Sequence, residues 1–170
     1  MKSPRALVPA LVVVASAMRL IPHPANVLPI TAMALFAGTR CEERSQALAL
    51  IGGTMLLTDA VLGFHPTMIF VYASLALTVL LGSKLRGKEG VVTIAAAALT
   101  SSLLFFLVTN FGVWMVDGMY PQTIAGLGAC YLAAIPFFEN SLVADLFYSA
   151  LIFGAFEALN SRSAPAQCAA

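Results

Sequence analysis

The sequence predicts an all-α membrane protein, a single bundle of about six transmembrane helices, since 170 residues accommodate about five to seven spans of ~20 residues each. Three observations predict it. Hydrophobic residues make up 60% of the chain and charged residues 10%, whereas a soluble domain carries roughly 25% charged residues, so too few are present to coat a water-facing surface. The apolar residues fall in long blocks rather than short alternating runs, which suits a lipid-facing exterior. Lysine and arginine gather in one set of loops, as they do on the cytoplasmic side of multi-pass proteins.

Residues 6–21 form the first apolar run, and Ile21-Pro-His-Pro-Ala-Asn26 stops it, because Pro22 and Pro24 lack backbone donors. Lys2, Arg5 and the small residues Ala15-Ser-Ala17 also fit a cleavable signal peptide. A first span that stays in place explains the same residues without discarding any. Residues 27–39 supply only ~20 Å of helix at 1.5 Å per residue, less than a ~30 Å hydrocarbon core. That segment crosses only if its neighbours shelter it.

After the charged turn Arg40-Cys-Glu-Glu-Arg44, residues 47–62 form a third span carrying Thr54, Thr58 and Asp59, closed by Gly63-Phe-His-Pro66. Residues 67–81 and 91–116 form the fourth and fifth, separated by the polar stretch 82–90. Residues 124–138 are apolar but broken by small residues and followed by Glu139-Asn140; 141–159 make a clear last span. The domain therefore covers 1–160, and 161–170 reads as a short disordered cytoplasmic tail.

With 124–138 kept as a re-entrant or interfacial helix on the outer face, sheltered by protein, Lys2, Arg5, Arg40, Arg44, Lys84, Arg86, Lys88 and Arg162 all fall inside. Those are eight of the nine lysines and arginines, leaving Arg19 outside, so both termini are predicted in the cytoplasm. A seven-span reading moves Arg162 outside and weakens the asymmetry.

A net charge of +1 gives no basic face for nucleic acid. Cys41, Cys130 and Cys168 lack the spacing of a disulfide framework or a zinc site. The string from Gly82 to Glu89 nearly matches a phosphate-binding loop, but Glu89 replaces the hydroxyl that holds Mg²⁺ and no strand precedes it. No nucleophile with an adjacent base is legible either. The expectation is a protein that is not an enzyme and has no cofactor.

The loops predicted outside are rich in recognition chemistry: Arg19, His23, Asn26, Asp59, His65, Asn110, Trp114, Asp117, Tyr120, Gln122, Glu139 and Asn140. They converge on one pocket if the topology holds, although wet loops are polar anyway and Trp114 and Tyr120 also suit an interfacial belt. Asp59 lies within an apolar run, where a mid-helix carboxylate costs ~2.5–3.5 kcal/mol on insertion scales, and such groups usually face a partner or a water-filled cavity. In the last span Ser141, Asp145, Tyr148 and Ser149 share one helical face, and in the fifth Ser102, Phe106, Thr109 and Asn110 form a comparable stripe. Asp145 is the second intramembrane acid, suited equally to a neighbouring helix or to substrate. His23, His65, Asp59 and Asp117 are also of the type that holds Ni²⁺, Co²⁺ or Zn²⁺, though without HxxxH spacing. Ala6 and Ala10, four apart, permit close approach of another helix.

Arg19-Leu-Ile-Pro-His-Pro-Ala-Asn26, Pro29-Ile-Thr-Ala-Met-Ala-Leu-Phe36, Thr58-Asp-Ala-Val-Leu-Gly-Phe-His65, Phe105-Phe-Leu-Val-Thr-Asn-Phe-Gly-Val-Trp114 and Tyr120-Pro together resemble an uncharacterised bacterial family of small transport-type membrane proteins. That family in turn resembles the substrate-binding membrane subunits, or S components, of energy-coupling-factor vitamin transporters. The resemblance implies six helices, a vitamin-like or heterocyclic solute bound from outside beneath the loop after span one, and uptake with a separate transmembrane scaffold and two ATPases. It makes Ala6 and Ala10 the candidate docking residues, with Pro9 a departure from a smooth face. The alternatives are a divalent transition-metal permease and a structural membrane protein without a ligand.

Overall fold

The computed structural model describes residues 4–24 and 26–163, with side chains from Ala6 to Ser161. Among the described residues the secondary structure is entirely helical: α1 (Pro4–Ala17), a single 3-10 turn (Met18–Leu20), α2 (Ile30–Arg40), α3 (Arg44–Leu62), α4 (Met68–Lys84), α5 (Val91–Val116) and α6 (Ile124–Ser163). Three helices, α3, α5 and α6, are long and apolar enough to cross a membrane, with mean hydropathies of 1.4, 2.3 and 1.7 over their most apolar windows. Their outward surfaces are apolar: Leu57 is 72% exposed and Val143 71%. This is a membrane protein.

The helices form a ring. α1 packs on α3, α3 on α4, α4 on α5, α5 on α6, and α6 back on α1, while α2 stands in the middle and touches all five. Every residue from Thr31 to Thr39 is buried, as expected for a helix that is apolar all round. The predicted shelter for this short segment is therefore the rest of the bundle.

Lipid tails are as apolar as leucine, so helices in a membrane associate through close van der Waals contact rather than through the hydrophobic effect. Here α2 and α4 meet backbone to backbone. A Cβ added at Gly38 would lie 2.3 Å from the Val79 carbonyl oxygen, and one at Gly82 would lie 2.5 Å from that of Leu35. On the other side of α2, Phe36 packs edge-on between Phe153 and Phe156 of α6, with ring centroids 5.1 and 5.4 Å away. Gly82 thus belongs to helix packing. Arg86, in the same string, donates from Nε to the Gly38 carbonyl (3.0 Å) and from Nη1 to that of Glu42 (2.7 Å). It satisfies acceptors left open where α2 ends.

One expectation needs correction. Residues 124–138 are not a separate re-entrant or interfacial helix; they continue without a break into the last span as the 40-residue α6. Glu139 and Asn140 are exposed, and they mark a change of surroundings along a helix rather than its end. Pro136 cannot donate to the carbonyl four residues back, yet the helix runs through it. At 1.5 Å per residue α6 extends ~60 Å, about twice a hydrocarbon core. Its first half is strapped to α5 by the Tyr131 hydroxyl, which donates to the Leu107 carbonyl at 2.7 Å. α6 also includes residues 161–163; the rest of the predicted tail, residues 164–170, lies outside those described.

Candidate functional site

The two intramembrane acids have different surroundings. Asp59, near the end of α3, is 2% exposed and fully engaged: Arg19 Nη2 donates to Oδ1 at 2.6 Å and the Tyr72 hydroxyl to Oδ2 at 2.8 Å. Arg19 also donates through Nη1 to the Thr58 hydroxyl. The cluster joins the 3-10 turn after α1 to α3 and α4, so Asp59 and Arg19 form a brace rather than a free recognition surface.

Asp145, 3% exposed in α6, meets only hydroxyls among the described residues. Ser102 of α5 donates to its Oδ2 at 2.5 Å, and Thr31 of α2 is its second hydrogen-bond partner. The stripes on α5 and α6 legible in the sequence are thus brought face to face by the Ser102–Asp145 contact.

Asp145 closes the inner end of a niche of about 70 Å³ that it shares with Asn26, Thr31, Phe105 and Ser141. Through Asn26, Phe105 and Ser141 the niche opens into a cleft of about 430 Å³ between α5, α6 and the loop after α1. Phe106, Phe137 and Phe138 wall the cleft, and Thr109 and Asn110 add polar groups. Phe106 stacks on Phe138 with centroids 4.5 Å apart and planes 33° from parallel, which fixes that wall. Asn26 stands over both spaces in a left-handed conformation (φ 60), a backbone region asparagine tolerates better than most residues. The turn is closed by Val27 N–H on the Pro24 carbonyl at 3.1 Å.

Of the sequence-predicted residues, Asn26, Asn110 and Asp145 thus share one space, and the others lie elsewhere. Trp114 donates from Nε1 to the Pro121 carbonyl at 2.9 Å and ties down the α5–α6 loop. His23 and His65 are exposed and held locally, by the Pro24 carbonyl at 3.0 Å and the Thr67 hydroxyl at 2.8 Å. Asp117 is exposed at the end of α5 and Tyr120 half-buried in the following loop. Among the described residues no three His, Cys, Asp or Glu side chains come together to hold a metal ion. Ala6 and Ala10 both face outward on α1.

Two further cavities lie at the opposite end of the bundle. One of about 570 Å³ is lined by α1, the α2–α3 turn and Phe156, and one of about 370 Å³ lies between α5 and α6. Both include Arg40, whose Nη2 pairs with Glu157 at 2.6 Å and whose guanidinium lies 4.7 Å from the Phe156 ring centroid. That charge is already matched; aliphatic side chains line much of the 370 Å³ cavity, while the 570 Å³ cavity mixes Val8, Pro9 and Leu50 with Cys41, Glu42 and Gln46. The cleft reaching Asp145 combines the aromatic walls, spaced polar groups and buried carboxylate that recognition requires.

The sequence profile of one family matches residues 2–167, almost the entire chain. The chain belongs to the DUF6580 family. It is described as a family of unknown function. No curated protein and no solved structure matches the chain. For this DUF6580 chain the site must be read from its own geometry. Sequence reasoning missed Thr31, which looks like one more residue of an apolar segment until α2 is placed at the centre. It also missed Tyr72, whose hydroxyl finds Asp59 only through the α3–α4 packing. Phe137 and Phe138 were visible only as part of an apolar stretch.

Proposed function

We propose that this protein is a multi-pass transporter subunit of the bacterial inner membrane that binds a small organic solute from the outer side for uptake. The observation that carries this reading is the 430 Å³ cleft and its niche ending on Asp145, within the ~300–1,000 Å³ typical of small-molecule sites. The lysine and arginine distribution assigns that end of the bundle to the outside. On this reading the six helices are six spans with both termini inside. Energy for uptake comes, on this reading, from a separate scaffold with two ATPases. Two features support this: the Gly82–Glu89 string serves internal packing through Gly82 and Arg86, and the outward Ala6 and Ala10 leave room for a partner helix on α1. The metal-permease alternative is disfavoured because His23, His65, Asp59 and Asp117 occupy separate places.

Mass spectrometry of small molecules extracted from protein purified in nanodiscs tests the reading. A bound organic compound is expected at close to one equivalent, and it is lost when Ala134→Trp fills the cleft. Absence of any bound compound, or its retention in the filled variant, overturns the proposal.

A further inference from the structure

A carboxylate inside a membrane is expensive unless matched, and the bundle treats its two differently. Asp59 is neutralised by Arg19. Among the described residues no basic side chain reaches Asp145, whose partners are the Ser102 and Thr31 hydroxyls. Hydroxyl donors lower the cost of the charge without cancelling it. Asp145 is also the acid that lines a cavity, at the end of a niche too small for more than a functional group, beneath a larger cleft walled by phenylalanines.

We infer that the solute is a small organic cation, its charged nitrogen seated in the niche on Asp145 and its body held between the phenylalanines of the outer cleft. This rests on the cleft being the solute site and adds the charge of the solute to that reading. Phe105 lines the niche as well as the cleft, and an aromatic face attracts a cation, so it favours the same ligand class as the carboxylate. Asn26, Asn110 and Thr109 provide neutral groups for the rest of the molecule without competing for the charge. An anionic solute would meet the carboxylate as a like charge.

Equilibrium binding of three matched probes to the full-length protein in nanodiscs, with empty discs subtracted, provides the test: benzylammonium, benzyl alcohol and benzoate. Benzylammonium is expected to bind at least tenfold more tightly than benzyl alcohol, with benzoate weaker than either. Asp145→Asn should bring the cation and the alcohol to within about twofold, and Asp145→Glu should retain the preference. The wild-type comparison stands even if Asp145→Asn does not fold. Equal binding of the alcohol and the cation, or a cation preference that persists in Asp145→Asn, overturns the inference and leaves the cleft reading intact. Binding of no probe also overturns it, and the cleft reading is then judged separately by the extracted-compound experiment.

Discussion

Arg19 Nη2 lies 2.6 Å from Asp59 Oδ1, with side chains 11% and 2% exposed, and this pair fastens the end of the first helix to the third. Removing one partner strands the other charge, which typically costs ~3–5 kcal/mol, whereas replacing both by apolar groups of similar volume is often tolerated. Asp59→Leu alone is therefore expected to lower thermal stability in detergent sharply, by about 3 kcal/mol, and Arg19→Met combined with Asp59→Leu to recover most of the loss. Tyr72→Phe, which removes one hydrogen bond, should cost about 1 kcal/mol. A double variant no more stable than Asp59→Leu would show that the pair is not the brace described.

The α2–α4 contact makes a second prediction. Gly38→Ala and Gly82→Ala each drive a methyl into a backbone carbonyl, at 2.3 and 2.5 Å, and neither carbonyl can move without parting the helices. Both variants should yield little monodisperse protein by size-exclusion chromatography. Gly52→Ala, with nothing within 4 Å of the new Cβ, should be neutral or slightly stabilising, because alanine is favoured over glycine in helices by ~1 kcal/mol.

Much of this architecture was legible because hydropathy marks helices directly. The boundaries of α3 and α5 fall close to their apolar runs, and the facing stripes of α5 and α6 followed from helical spacing alone. What could not be read were relations between helices. Thr31 and Tyr72 belong to apolar runs in the sequence and acquire their roles only from neighbours distant along the chain. The polar step at Glu139-Asn140 misled because an exposed pair in mid-helix and a break between helices have the same composition.

Topology is open to direct measurement. In a background lacking the native cysteines, Glu139→Cys and Asp117→Cys are expected to react with an impermeant maleimide from outside intact cells, and Lys88→Cys only after permeabilisation. Labelling of Glu139→Cys from the cytoplasmic side alone would mean that the first half of the continuous α6, residues 124–138, is the part that crosses the membrane.

Cys41 offers a pH-dependent readout at the other end. Burial pushes its thiol above the ordinary 9.0, and the Arg86 guanidinium pulls it partly back. The thiolate fraction at neutral pH is then below that of a free thiol, so alkylation should be slow at pH 7 and accelerate as pH rises through and beyond 9.0. In a Cys168→Ser background, Arg86→Met should slow alkylation further at each pH. Faster alkylation in that variant would mean that Arg86, through its bonds to the Gly38 and Glu42 carbonyls, shields Cys41 sterically more than it polarises it.

The burial of α2 on every side bears on how the protein is made. A translocon releases a segment into lipid largely on that segment's own length and apolarity, and the eleven residues of α2, which include Thr31, Thr39 and Arg40, fall short on both. Gly82 of α4 and the aromatic rings of Phe153 and Phe156 in α6, which hold α2, lie later in the chain. Its entry into the bilayer is therefore expected only once those later helices are in place around it. A nascent chain halted at residue 62 should leave residues 21–43 on one side of the membrane in glycosylation mapping, and the full-length chain should divide them between the two.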